Sequence, residues 1–308
     1  MSDPAPAPTS PYIYDAQNLP ENRRLVAAFA RMYTDAKILF AVRIFGVAAL
    51  AVGLVVAGVL APQARSIVSG LGSVVLLVAS IVVTNVEKTH RTRAAATQEE
   101  FDTRVFRLTW NAIHVDRPSA SHIQHAAARY EGTRDTNWYD PTSGTHRPFD
   151  VLICQAANFG WGTTMHRRWG WTLSAIAIVL LGVLASIASL VGTSYAEGLL
   201  VVVGPFVTVF KELIEQIKAN FEASAAKEKG ERQLADLWSK GMSGSHIPTE
   251  LELRSLQDKI LALRQSNPYV PDWFDERFRK QSEAAMRAST DDRVREAIAA
   301  GHAMPGTA

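Results

Sequence analysis

Hydrophobic positions follow two patterns along this chain. Over residues 38–86 and 171–210 they are almost unbroken, and elsewhere they recur at helical spacing. The first block reads ILFAVRIFGVAALAVGLVVAGVLA, then the breaker PQARS, then IVSGLGSVVLLVASIVVTNV. Each half approaches the ~20 residues that a helix needs to cross a ~30 Å hydrocarbon layer. The second block reads WTLSAIAIVLLGVLASIASLVG, then TSYAE, then GLLVVVGPFVTVF, a last segment that is short unless it continues through Leu213 and Ile214. Between Ile44 and Val86 the only charge is Arg65, and between Trp171 and Phe210 it is Glu197; both fall in the turns. A helix in a soluble core keeps a polar face, and these four segments have none, so lipid is their expected surroundings. The alternative is a set of buried helices in a large soluble protein.

The rest of the chain has helical period throughout and no strand-like alternation of useful length. ENRRLVAAFARMYTDAK places Leu25, Phe29, Met32 and Tyr33 on one face and runs into the first span without a breaker. Arg43 then lies inside the membrane boundary, from which a long side chain snorkels to the headgroups. In the central segment Phe101, Val105 and Leu108 share a face. A second helix carries Ile123, Ala126, Ala127 and Tyr130, with Ser119 or Ser121 as N-cap and Gly132 near its end. A loop with Asn137, Pro141, Gly144 and Pro148 follows, and Asp150 is the expected cap of the stretch leading into the third span. Beyond Pro205 a long polar helix has a seam at Ile214, Ile217, Phe221 and Ala225. Thr249 and Glu252 form a capping box for a helix with Leu253, Leu256, Ile260 and Leu263 inward. One more helix follows from SNPYVPDWFDERFRKQSEAAMR, and the last residues read as disordered.

The predicted fold is therefore all-α: an integral membrane protein with four transmembrane helices in two hairpins. Its helical cytoplasmic domain is made from the central insert and the C-terminal tail. The divisions are an N-terminal tail with an amphipathic helix at 1–37, a hairpin at 38–86, the insert at 87–170, a second hairpin at 171–210 and C-terminal helices at 211–308.

Charge orients this arrangement. Arg23, Arg24, Arg31, Lys37 and Arg43 lead into the first span, Lys88, Arg91 and Arg93 follow the second, Arg167 and Arg168 precede the third, and Lys211 and Lys218 follow the fourth. The positive-inside bias puts both termini and the insert in the cytoplasm, with multi-pass insertion in a plasma membrane. The start, MSDPAPAPTSPYIYD, lacks the basic-then-apolar pattern of a signal peptide. The insert has 11 Lys/Arg against 9 Asp/Glu and the tail 15 against 16, so neither is basic enough to imply duplex nucleic acid. The single cysteine, Cys154, excludes an internal disulfide and fits a reducing compartment.

Candidate chemistry is sparse. Gly46, Ala49, Gly53 and Ala57 make a small-residue stripe suited to close helix packing. Ser69, Ser73, Ser80 and Thr84 make a hydroxyl stripe, either bonded back to the helix carbonyls or lining a pore. Six of the eight histidines lie in the insert, with His122 and His125 three apart and His114 with Asp116 upstream. HxxH without a paired carboxylate motif or a second cysteine is a weak metal signature, so no metal and no cofactor is expected. No P-loop, GxSxG or GxGxxG is present, and no enzymatic activity is expected. Arg134, Trp138 and Tyr139 in the loop and Gln155, Asn158 and Arg167 before the third span are candidate nucleotide-binding residues. Aromatic faces stack bases, arginine forks onto phosphate and amides read base edges. The competing reading for these residues is interfacial anchoring and domain packing.

The phrases QEEFDTRVFRLTWN, RPSASHIQHAAARY, NWYDP, ICQAANFGW and VPDWFDERFR resemble the SMODS-associating four-transmembrane effectors of bacteria, and the order of spans and insert matches over nearly the whole chain. The resemblance implies an effector of CBASS-type antiphage defence in the bacterial inner membrane. In such systems a nucleotidyltransferase makes a cyclic oligonucleotide, and this second messenger activates an effector that permeabilises the inner membrane, causing cell death or growth arrest. Its implied partners are the lipid bilayer, the cyclic oligonucleotide, further copies of itself in a homo-oligomer and, functionally, the nucleotidyltransferase. The alternatives are a constitutive channel, a membrane scaffold, or a membrane-anchored metal-dependent hydrolase using His114, His122 and His125.

Overall fold

The computed structural model describes residues 13–60, 65–142, 144–190 and 194–303. The side chains of residues 59, 65–70, 73, 76, 197 and 200 lie outside that description. In order, the helices are α1 (Ile13–Gln17), α2 (Pro20–Leu60), α3 (Arg65–Phe106), α4 (Ala120–Ala127), α5 (Phe149–Gly160), α6 (Thr163–Ala188), α7 (Tyr195–Val202), α8 (Val207–Met242), α9 (Glu250–Ser266) and α10 (Asp272–Ala299). A 3-10 turn at Gly204–Phe206 joins α7 to α8. No strand occurs among the described residues.

Helix α2 begins at Pro20, whose fixed φ and missing N–H suit the first helical position. It then runs 41 residues without an internal breaker. At 1.5 Å per residue that is roughly 60 Å, twice a hydrocarbon layer, so its N-terminal part projects well beyond the apolar region. Helix α3 is of similar length, 42 residues, and returns antiparallel to α2. Gly72 allows the close approach: a Cβ there would come within 2.4 Å of a Leu54 methyl. It ends at Phe106, where Arg107 turns to φ 52 and the Leu108 N–H bonds back to the Thr103 carbonyl at 3.0 Å.

Two stretches, Pro20–Gly58 and Phe149–Ala188, are long and apolar enough to cross a membrane. Only 17% of the most apolar window of each is buried in the fold, where a soluble core helix would be mostly buried. Phe45, Leu50, Val52 and Val56 on α2 and Ile178, Val179, Leu181 and Val183 on α6 are exposed, as are Leu71, Val74, Val78 and Ile81 on α3. These side chains form a charge-free apolar belt. Inside it Ala51 packs with Leu184, Ala188, Val202 and Phe206, joining the two hairpins.

Below the belt a second core joins Phe29 of α2, Phe101 and Phe106 of α3, Phe149, Leu152 and Phe159 of α5, Leu234 and Trp238 of α8, and Leu253 and Ile260 of α9. Two glycines of α8 make it possible. A Cβ at Gly230 would lie 2.2 Å from the Phe159 ring, and one at Gly241 would lie 2.5 Å from the Phe149 ring. The capping box at Thr249 and Glu252 is present, and Ser119 caps α4.

Elsewhere the structure corrects the expected elements. The fourth apolar segment is not one helix, because Pro205 removes a donor and α7 stops after eight residues. Of the expected seam on α8, Ile214 and Ala225 are exposed, whereas Ile217 packs beside Trp169 and Phe274 and Phe221 meets Gly170 and the Trp171 ring. The fully buried face is a different one, Asn220, Ala223, Ser224, Lys227, Gly230, Leu234 and Trp238, because the two glycines admit phenylalanine rings from α5 on that side. Pro148 rather than Asp150 is the N-cap of α5; the Asp150 carboxylate accepts from the Val151 N–H inside the first turn. Helix α4 stops at Ala127, short of Gly132. Helix α10 continues to Ala299, past the expected end at Arg287, because Thr290 and Ala297 are buried against the rest of the fold.

Candidate functional site

Three charged side chains meet where the apolar belt gives way to the polar domain. Arg43 of α2 bonds the Glu87 carboxylate of α3 at 3.2 Å and pairs with Glu212 of α8. The Glu212 carboxylate also accepts from the Ser80 hydroxyl at 2.8 Å, and Arg91 lies 3.7 Å from Glu87. All three charged side chains are almost wholly buried, with exposures of 5% for Arg43, 4% for Glu87 and 7% for Glu212. Arg43 therefore does not snorkel. Two carboxylates delivered by neighbouring helices are nearer partners than any headgroup, and two arginines balance two glutamates. Ionisable groups at such depth occur paired and mark functional positions. Antiparallel register about the first turn made Glu87 findable from the sequence, whereas Glu212 arrives from a segment whose approach no local pattern encodes.

A second buried network lies in the polar domain. The Asp102 carboxylate, fully buried, accepts from Arg264 at 2.6 Å, Gln257 at 2.8 Å and the Tyr139 hydroxyl at 2.7 Å. Glu99, three residues earlier on α3, accepts from Arg254 at 2.5 Å and Gln257 at 2.9 Å. Arg264 also donates to the Asn158 side-chain Oδ1 at 2.8 Å, and the Asn158 side-chain Nδ2 donates to the Tyr139 hydroxyl at 2.8 Å. Gln155 donates to the Leu253 carbonyl at 2.9 Å. Burial raises the Glu99 carboxyl above its usual range, with the Asp102 charge adding to it, and burial pushes the Tyr139 phenol well above its ordinary value. The network ties α3, α5 and α9 together as a structural knot.

The six candidate nucleotide-binding residues thus separate. Tyr139, Gln155 and Asn158 belong to the knot. Trp138 is at the surface with its ring 4.9 Å from that of Phe29, and the Arg134 N–H donates to the Tyr130 hydroxyl at 3.1 Å. Arg167 is exposed on α6 and pairs with Glu228 at 2.6 Å. None of the six lines the cleft described below. Of the hydroxyl stripe, Ser69 and Ser73 lie outside the described side chains, Ser80 is buried against Glu212, and Thr84 donates back to the Ser80 carbonyl at 2.7 Å. In the small-residue stripe Gly46, Ala49 and Gly53 are exposed, with nothing within 4 Å of a Cβ at either glycine; Val47 and Ala51 on the adjacent face make the internal packing. Among the histidines, His114 lies 3.7 Å from Asp258, and no three metal-ligating side chains gather among the described residues.

A cleft of about 370 Å³ opens between α5, α8 and α10. Its polar lining includes Glu228, Glu231 and Arg232 from α8 and Ser289, Thr290 and Arg293 from α10; Ile153, Ala157 and Gly160 of α5 form the remaining wall. This is the face of α5 opposite Gln155 and Asn158, so one helix serves the knot on one side and the cleft on the other. Of the candidate residues named from the sequence, only Arg167 comes near it, through the pairing with Glu228 that the structure shows.

A protein of Bacillus cereus (strain VD146) described as a probable CBASS effector molecule is 24% identical over 270 residues, covering 84% of this chain and 90% of that relative. No solved structure matches the chain. Residues 11–293 match the SMODS-associating 4TM effector domain, nearly the whole of the folded part, and the chain belongs to that family.

Proposed function

We propose that this protein is a CBASS effector of the bacterial inner membrane, with four spans, both termini cytoplasmic, activated by a cyclic oligonucleotide and permeabilising the bilayer. The observation that carries the reading is the buried Arg43–Glu87–Glu212 cluster. It fastens three helices together at the inner boundary of the apolar belt, and those same helices continue unbroken into the polar domain. Glu87 and Glu99 are on one helix about 18 Å apart, so a rotation of the knot is delivered to the cluster without an intervening loop. A ligand shifts such an equilibrium only by binding one state better. In the resting state the ion pairs hold α2, α3 and α8 closed. In the activated state they separate and the belt rearranges.

Four spans enclose no wide pore alone, so the active form is a homo-oligomer. The exposed Gly46, Ala49 and Gly53 stripe supports this, because it offers a second copy a close approach. The messenger comes from a partner nucleotidyltransferase, and the protein acts on the membrane without catalysing a reaction.

Dye release from liposomes containing the purified protein tests the proposal. Release that requires one member of a panel of cyclic di- and trinucleotides is expected. Equal leakage with and without nucleotide would replace it with a constitutive channel, for which the helix break at Pro205 would then be the place to look. Nucleotide binding with no leakage under any condition would leave a membrane scaffold.

A further inference from the structure

We propose that the cleft between α5, α8 and α10 is the cyclic-oligonucleotide site, with Arg232 and Arg293 holding phosphodiester oxygens and Glu231 and the Ser289 and Thr290 hydroxyls meeting base or sugar. The assignment rests on the effector reading above.

The chain pairs its buried arginines thoroughly: Arg43, Arg254 and Arg264 each meet carboxylates. The cleft is different. Among the described residues no carboxylate lies within ion-pair distance of Arg232 or Arg293, and no cation lies within that distance of Glu231. Groups of both signs, near enough to feel one another but with no partner in direct contact, therefore face one concave space from two helices. A nucleotide supplies the missing partners, offering anionic oxygens to the arginines and N–H or O–H donors to the carboxylate. Glu228, the other carboxylate of the lining, pairs with Arg167 at 2.6 Å, which offsets part of its charge.

Arg293 is also held in position. Its guanidinium carbon lies 5.3 Å from the centre of the Trp238 ring, and burial weakens its hold on the proton. The charges of Glu231 and Glu296 act on it only from beyond ion-pair distance, so a phosphate in direct contact is the nearer partner for this desolvated cation. Burial likewise raises the Glu231 carboxyl. Gly160 keeps the wall open, since a Cβ there would approach both the Glu231 carboxylate and the Met286 sulfur to 3.0 Å. The volume, about 370 Å³, is within the range of small-molecule sites, roughly 300–1,000 Å³.

The placement also explains transmission. Glu231 and Arg232 lie on α8, the helix that carries Glu212 to the membrane cluster, so a ligand drawing α8 toward α10 acts directly on the Arg43 ion pair.

The experiment is equilibrium binding of radiolabelled 3′,3′-linked cyclic dinucleotides and cyclic triadenylate to the full-length protein in nanodiscs. Arg232→Ala, Arg293→Ala and Gly160→Leu are compared with wild type. Each is expected to weaken binding about ten-fold or more. Gly160→Leu removes no charge and leaves the Arg293–Trp238 contact in place, so it tests the cleft even if Arg293→Ala misfolds. Wild type that binds one probe, with all folded variants within two-fold of it, overturns the cleft and leaves the effector reading standing. Wild type that binds none of the probes overturns both.

Discussion

Replacing Arg43 by methionine keeps the length of the side chain and removes its charge. The consequence follows from what remains. Glu87 and Glu212, 4% and 7% exposed, lose the cation between them; Glu212 keeps the Ser80 hydroxyl and Glu87 keeps Arg91 at 3.7 Å. Breaking a buried pair by removing one partner costs about 3–5 kcal/mol, because the abandoned charge stays desolvated. If the helices separate on activation, that cost is borne by the closed state and relieved in the open one. At 1.4 kcal/mol per factor of ten, the open-to-closed ratio rises by about two to three and a half orders of magnitude. Arg43→Met should therefore release dye from liposomes without nucleotide. The exchange Arg43→Glu with Glu212→Arg keeps the same four charges in the cluster and should restore dependence on nucleotide. Normal helicity and insertion, together with release no greater than wild type in the absence of nucleotide, would refute the latch.

Three further outcomes follow from packing and burial. Gly230→Ala drives a Cβ to 2.2 Å from the Phe159 ring and should destabilise the polar domain by about 1–3 kcal/mol, read as a lowered melting temperature. Asp102→Asn removes the carboxylate that receives Arg264, Gln257 and Tyr139, and should cost about 3–5 kcal/mol by the same measure. Lys227, buried with its ammonium donating to the Trp161 carbonyl at 2.9 Å, is held by burial at a pKa of about 8, down from 10.5. Between those two values the unfolded chain binds more protons than the folded one, so wild-type stability rises with pH there. Measured against Lys227→Met, wild type should be level with pH below about 8 and gain as pH rises toward 10.5; a flat difference across that window would refute the burial argument.

Local pattern determined a great deal about this chain. Charge-free runs fixed where the apolar belt lies, helical spacing fixed that the remainder is α-helical, and short-range hydrogen bonding fixed where α4 and α9 start, because an N-cap depends on residues three apart. The continuity of α2 was equally legible, since nothing between Pro20 and Leu60 breaks a helix. What tertiary structure decided is which faces meet. The buried side of α8 could not be read from its own hydrophobic residues, because glycines at 230 and 241 turn a different face toward Phe159 and Phe149. Tyr139, Gln155 and Asn158 have the chemistry of a ligand site, and only the arrival of Arg254, Gln257 and Arg264 on α9 consumes them in a structural network. The Arg43 cluster and the cleft have the same origin: each is assembled from helices far apart in sequence, and a contact between distant segments leaves no periodic trace in either one.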